Sequence, residues 1–211
     1  VISPIVQVRV QHHPARADHL SPLLDRLDGL DVEVVTDPDP SGEVATWRTY
    51  RECLRDIPPE CESLVVLQDD TVPCRGFADQ LSEALIERPL DLVSLYTGLF
   101  PELTAIRARQ AYSVGDRWSR HQGSWVPAVA LAWPVVLAED AVEWCDGVEH
   151  WPLGYPDDAR LGHWQRERRL DVWHRLPNLV DHPGHLPSIV GTKQGSHWCS
   201  VVPGDEPQSR F

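Results

Sequence analysis

Two adjacent carboxylates, Asp69 and Asp70, close the stretch "LVVLQDD". The run Leu64–Leu67 is short enough to be a buried strand, and two like charges at its end repel each other and interrupt burial. A chain that places them there has a use for negative charge, and a divalent cation is the obvious partner. Mg²⁺ or Mn²⁺ takes hard oxygen ligands, with one or two protein carboxylates completing a shell built largely from a diphosphate and water. The competing reading is local: an acid here can cap the helix that follows.

Two further clusters carry chemistry. "NLVDHPGHLPSIVG" (178–191) places Asp181, His182 and His185 in a turn-rich segment after a short apolar run, where imidazole and carboxylate can meet a metal or a phosphate. "GYPDDARL" (154–161) puts Asp157 and Asp158 behind Pro156, the pattern of a helix N-terminus, whose dipole alone favours carboxylates. The same pair supplies a candidate general base for an acceptor hydroxyl. In a first helical turn the two side chains diverge by about 100°, so one faces a pocket while the other caps the helix or faces solvent. The nine tryptophans offer flat faces on which sugars or bases stack; Trp118, Trp125 and Trp151 fall in or beside segments expected to rim a pocket.

Alternating elements must position these groups. Strands are expected near 5–10, 31–36, 63–68 and 91–95, separated by helical patterns in "ADHLSPLLDRLDGL", "GEVATWRTYRECLRD" and "RGFADQLSEALIE". Three strand–helix repeats predict an α/β fold with a mostly parallel central sheet. Ligands of such sheets sit at the C-terminal ends of the strands, where His12, His13, Asp37, Asp69 and Asp70 all fall. Residues 97–124 form an Arg-bearing, weakly periodic stretch expected to be a functional loop. A buried strand in 124–134, helices in "VVLAEDAVEWC" and "PDDARLGHWQRERR", and a short strand pair in "LDVWHRLPNLVDH" follow.

Composition narrows the partners. At 211 residues one domain is the expectation. Thirty-two acids against 19 Lys and Arg, a net charge of -13, argue against nucleic-acid binding through the whole surface, though not against a local basic patch. Five cysteines without a CxxC pair are expected to be reduced thiols. No apolar run is long enough to span a membrane, so a soluble cytoplasmic protein is expected, in the host cell if the chain is viral.

Together "VVLQDD", "PDD" and "VDH", in this order, resemble the metal-dependent nucleotide-sugar glycosyltransferases of the GT-A fold. The resemblance implies one GT-A-like (Rossmann-like) domain over 1–211, with a nucleotide-sugar-binding half (1–96) and an acceptor-binding and catalytic half (97–211). It implies a hexosyltransferase with a donor of UDP type and an inverting mechanism. Asp70 and His182 would hold a divalent metal, Mn or Mg. His13, Arg16, Asp37, Arg48, Gln68, Asp69 and Lys193 would bind the donor, Lys193 from a loop closing over the diphosphate. Asp158, with Asp157 beside it, would be the base, and Trp118, Trp125 and Trp151 would meet the acceptor. Gln68 stands where the family's first Asp would be.

Some members of this fold, viral ones included, glycosylate hydroxymethylated pyrimidines in DNA. Four arginines against Asp116 between 105 and 121, and five against two acids at 160–175, offer phosphate contacts for such an acceptor. A saccharide, protein or small-molecule acceptor is the alternative. Two other classes use related residues: a metal-dependent phosphoesterase, which needs more His and Asp ligands over several strand ends, and an inactive nucleotide-sugar-binding module, which needs no base.

Overall fold

The computed structural model describes residues 4–40, 46–98, 101–121, 126–152 and 154–182. The chain opens with β1 (Val6–His12), a single 3-10 turn (Pro14–Arg16), α1 (Ala17–Arg26), β2 (Asp31–Thr36), α2 (Thr46–Cys53) and β3 (Ser63–Gln68). There follow β4 (Val72–Pro73), α3 (Phe77–Glu87), β5 (Leu92–Ser94), α4 (Glu102–Ser113), β6 (Trp118–His121) and β7 (Ala130–Pro134). The described chain ends with α5 (Val135–Gly147), α6 (Asp157–Arg168), β8 (Val172–Arg175) and β9 (Val180–Asp181).

Seven strands form one sheet in the order β2-β1-β3-β7-β5-β8-β6, and β4 pairs with β9 in a small ribbon. β1 is parallel to β2 and β3, and β5 to β8, while β7 and β6 run against their neighbours. Five strands therefore share one direction, as the strand–helix alternation requires. Both faces of the sheet are covered, which is why its central strands are continuously apolar. Val8, Val10, Val65 and Leu67 pack under α1 and α3 with Phe77 and Leu81, while Leu64, Val66, Leu131 and Trp133 pack against α2, α5 and α6 with Tyr50 and Trp164.

One buried cation ties α2 to the sheet. Arg9, 4% exposed on β1, donates to the carbonyls of Cys53 (3.2 Å), Asp56 (3.1 Å) and Arg55, and its Nε lies 2.8 Å from Glu33. These carbonyls sit at and just beyond the C-terminal end of α2, where helical acceptors lack intrahelical partners and the dipole favours a cation.

The stretch expected to be one long loop, 97–124, instead contains α4 and β6. Periodicity fails there for a physical reason. The buried face of α4 is built from Thr104, Ala105 and Ala108, while Leu103 and Ile106 are 57% and 40% exposed. A helix that hides small residues and shows its large ones carries no amphipathic signal. The expected strand pair near the C-terminus divides between sheets: β8 joins the large sheet and β9 the ribbon. The four described cysteines are buried and form no disulfide with one another, and no helix among the described residues is long and apolar enough to cross a membrane.

Candidate active site at the strand ends

Parallel pairing aligns the C-terminal ends of β2, β1 and β3. His12 pairs with Thr36 and Gln11 with Gln68, so Asp37 and Asp69 leave the sheet on one edge. The backbone fixes them there, with Asp37 N donating to His12 O (2.9 Å) and Asp69 N to Gln11 O (3.1 Å). Asp37 is buried and receives Arg48 from α2, whose Nη2 and Nε donate to Asp37 Oδ1 at 2.7 and 3.1 Å.

The paired acids after β3 have different surroundings. Asp69 is saturated: His13 N donates to its Oδ2 at 2.7 Å, His12 Nδ1 lies 3.0 Å from the same oxygen, and Arg16 Nη1 donates to Oδ1 at 2.9 Å. Asp70 also contacts Arg16, and His182 Nε2 lies 3.0 Å from its Oδ2. Its other oxygen, Oδ1, is buried and accepts no hydrogen bond from the described residues. Burial alone would push Asp70 up, but the His182 hydrogen bond and the His182 and Arg16 charges outweigh it and hold the carboxyl below its ordinary value.

The ribbon explains how His182 arrives. Val72 pairs with Asp181 and Pro73 with Val180, so His182 leaves this ladder opposite Thr71 and within reach of the neighbouring Asp70. No three His, Cys, Asp or Glu side chains among the described residues form a metal cluster. Two converging donors, one with an orphaned buried oxygen, fit an ion that draws its remaining ligands from a diphosphate and water.

The second pair, Asp157 and Asp158, begins α6, as the sequence pattern predicts. Asp157 is 3% exposed; its backbone N–H donates to Thr46 Oγ1 (3.2 Å), and its Oδ1 accepts from Asp158 N (2.9 Å). Asp158 is half-buried, and its Oδ1 accepts from Ala159 N at 2.6 Å. Burial pushes both acids up, and the Asp157 charge raises Asp158 further, to about 8. Two carboxyls so close and so poorly hydrated resist double ionisation.

Gln11 joins the two acidic pairs. Its Nε2 donates to Thr46 O (2.9 Å) and Asp157 Oδ2 (3.5 Å), and its Oε1 accepts from Gln68 Nε2 (3.3 Å). Gln68, in the place of a first motif Asp, thus faces along the sheet edge toward α6. Sequence reasoning missed Gln11, Thr46 and His12 as supports of the acids. Only the strand register shows that Gln11 and Gln68 are neighbours, and nothing local marks Thr46 as the partner of a residue on α6.

Beside Thr46 opens a cavity of about 320 Å³ between α2, α5 and the segment entering α6, lined among others by Trp47, Trp151, Tyr155 and Arg160. Trp151 stacks on Tyr155 with ring centres 5.2 Å apart and planes 15° from parallel. Trp118 does not come here: it lies on β6, at the sheet edge opposite β2, with its indole N–H donating to Glu87 (2.7 Å). The arginines near it are largely engaged, Arg117 with Glu83 and Glu87 and Arg120 with Asp171. Trp125, His185 and Lys193 lie outside the described residues.

No family model matches the chain, and no curated protein does. Among solved structures, the fold is similar to that of a Drosophila beta-1,4-galactosyltransferase 7 mutant in complex with manganese, UDP-Gal and xylobiose. The TM-score is 0.52 at 10% identity, over 85% of this chain and 70% of that one. At that identity the likeness is one of fold: an α/β domain that carries the acidic residues at its strand ends.

Proposed function

We propose that the chain is a glycosyltransferase that moves a hexosyl group from a UDP-linked donor to an acceptor hydroxyl, with inversion. The observation that carries this reading is the pairing of two carboxylate stations on one sheet edge, Asp70 with His182 and Asp157 with Asp158, joined through Gln68 and Gln11. The solved structure of similar fold, with its manganese and UDP-Gal, supports it.

In this mechanism the Asp37–Arg48 pair holds the nucleoside end of the donor beside β2. Arg16 and His13 stand over the diphosphate, kept in place by Asp69. A divalent ion, Mn or Mg, held by Asp70 and His182, would neutralise charge on the departing diphosphate. Asp158 takes the proton of the acceptor hydroxyl as that oxygen attacks the anomeric carbon from the face opposite the leaving group. Asp157 is too enclosed for that task and supports its neighbour from the start of α6; the greater exposure of Asp158 favours it as the base. Donor contacts come chiefly from 1–96 and acceptor contacts from 97–211, with His182 reaching back across that division.

A hydroxymethylated pyrimidine in DNA is one acceptor class. The arginines first considered for phosphate contacts give it little support, because Arg117, Arg120 and Arg168 already face carboxylates. The acceptor is better placed at Trp151, in the cavity next to α6.

Thermal shift against a panel of nucleotides and nucleotide sugars, with and without Mn²⁺, tests the donor assignment. UDP with Mn²⁺ should raise Tm more than either alone, and UDP-sugar with Mn²⁺ should release UDP slowly in the absence of acceptor. A panel in which no nucleotide stabilises the chain overturns the reading.

A further inference from the structure

The cavity beside α6 is cationic in a protein of net charge -13. Three guanidiniums, Arg48, Arg51 and Arg160, line it against one carboxylate, Asp146. Arg48 is engaged with Asp37 at 2.7 Å and Arg51 with Asp146 at 2.8 Å. Arg160 differs: no described carboxylate forms an ion pair with it. Its Nε donates to the backbone oxygen of Tyr155 (3.0 Å), and its guanidinium lies over Trp151 and Trp47, 4.9 and 5.8 Å from their ring centres.

A guanidinium laid against two indoles is partly stripped of water, which costs free energy that the ring faces recover only in part. Burial accordingly lowers the pKa of Arg160 from its ordinary value. An anion entering the cavity would form charge-assisted hydrogen bonds with the remaining N–H groups, strengthened by the apolar walls. Trp47 is buried, but Trp151 is only half-buried, and its exposed part can pack against a planar or pyranose body attached to that anion.

Position gives this chemistry its meaning. Arg160 stands in the first turn of α6, two residues after Asp158, and Trp47 follows Thr46, whose hydroxyl and carbonyl hold Asp157 and Gln11. The cavity thus opens beside the first turn of α6, the same turn that carries Asp158.

We propose that this cavity selects acceptors bearing an anionic group, phosphate or carboxylate, which Arg160 binds while the attached ring stacks on Trp151. This rests on the glycosyltransferase reading and deepens it by naming an acceptor class. The hydroxyl to be glycosylated lies on the same molecule, so the anion and the stacking face act as a handle that fixes the angle at which it meets Asp158.

The test titrates the full chain, saturated with UDP and Mn²⁺, with three matched probes: phenyl phosphate, phenyl glucuronide and neutral phenyl glucoside, read by tryptophan fluorescence. At least one anionic probe should bind about tenfold more tightly than the glucoside, and that advantage should shrink as NaCl rises from about 50 to about 500 mM. Which anionic probe binds better separates phosphate from carboxylate. Arg160→Gln should abolish the preference while the UDP and Mn²⁺ thermal shift persists, and Arg160→Lys should restore part of it. The salt-sensitive preference of the unmodified chain decides the matter even if a variant fails to fold. Equal binding of all three probes overturns the proposal, as does competition between UDP and the anionic probe for one place. Stabilisation by UDP and Mn²⁺ without an anionic preference sinks this inference alone; an anionic preference without any nucleotide effect sinks the donor assignment instead.

Discussion

His182 Nε2 lies 3.0 Å from Asp70 Oδ2, although the two residues are far apart in the sequence. The two-residue β4–β9 ladder brings them together, and among the described residues Asp70 keeps a buried oxygen, Oδ1, without a hydrogen bond. Asp70→Ala should therefore eliminate the extra thermal stabilisation that Mn²⁺ adds to UDP. His182→Ala should weaken it about tenfold or more in apparent metal affinity, since Asp70 survives. A Mn²⁺ effect equal to that of the parent in both variants would remove the metal assignment.

Asp69 should behave differently from its neighbour. Both of its oxygens are spent on His12, the His13 backbone and Arg16, and its side chain is 3% exposed. Removing the carboxylate takes the acceptor from the part-buried His13 N–H and from His12 and leaves Arg16 with Asp70, a loss on the order of 2 kcal/mol. Asp69→Ala should thus show its deficit in urea denaturation without any ligand present. A midpoint within error of the parent would mean that Asp69 is free to serve the donor directly.

The strand ends were legible in the sequence because an apolar run that stops at charged residues carries its own boundary. Asp37, Asp69 and Asp70 could be placed on one edge from strand–helix alternation alone. Antiparallel β7, wedged between β3 and β5, was not legible, because a short apolar strand looks the same in either direction. Nor was the contact of Gln11 with Asp157, which depends on α2 and α6 folding over one face of the sheet. Trp118 illustrates the opposite error: an indole in a stretch without clear periodicity was expected at a pocket, yet the β6–β8 ladder, pairing Trp118 with Arg175, carries it to the far edge.

Gln11 should act as a positioning residue. It bridges Gln68 and Asp157 and also holds the Thr46 carbonyl, so Gln11→Leu unties Asp157 from the strand end that leads to Asp69 and Asp70. The expected result is a fall of roughly tenfold in kcat with little change in donor affinity, because Asp70 and His182 keep their own contacts. The pH dependence of kcat should move downward as well, since Asp157 loses a hydrogen bond that favours its ionised form, and with it part of the negative charge that raises Asp158. A change confined to KM for the donor would assign Gln11 to donor binding instead.

Arg9 provides a stability test at the opposite end of α2. Arg9→Leu leaves the carbonyls of Cys53, Arg55 and Asp56 without their buried donor and unpairs Glu33. At about 1 kcal/mol or more for each unsatisfied acceptor, a loss of about 3 kcal/mol is expected. Since α2 carries Thr46, Trp47 and Arg48, the variant should also loosen the cavity, which would show as faster hydrogen exchange at the first turn of α2. Unchanged exchange there, with stability lost, would confine the role of Arg9 to the helix end it touches.

At Asp158, stability and activity should depend on pH with opposite signs. Burial and the neighbouring Asp157 push its carboxyl from the ordinary 3.8 to about 8, so at neutral pH the folded protein holds a proton that the unfolded chain has released. An acid raised in this way contributes stability that is complete below the unfolded value and is lost as pH climbs through the folded one. The parent should therefore weaken between about pH 4 and pH 8, and Asp158→Asn, which cannot ionise, should weaken less. Their difference in unfolding free energy should grow in the variant's favour by about 1 kcal/mol or more across that window, the equivalent of at least one pKa unit. Activity runs the other way, because a general base works only when deprotonated: kcat of the parent should rise through the same range and level off above about pH 8. Asp158→Asn should lower kcat by roughly 10² or more and abolish that rise, while donor affinity stays within about twofold. A larger loss from Asp157→Asn than from Asp158→Asn would transfer the role of base to Asp157, and a product that keeps the donor's anomeric configuration would remove the need for either.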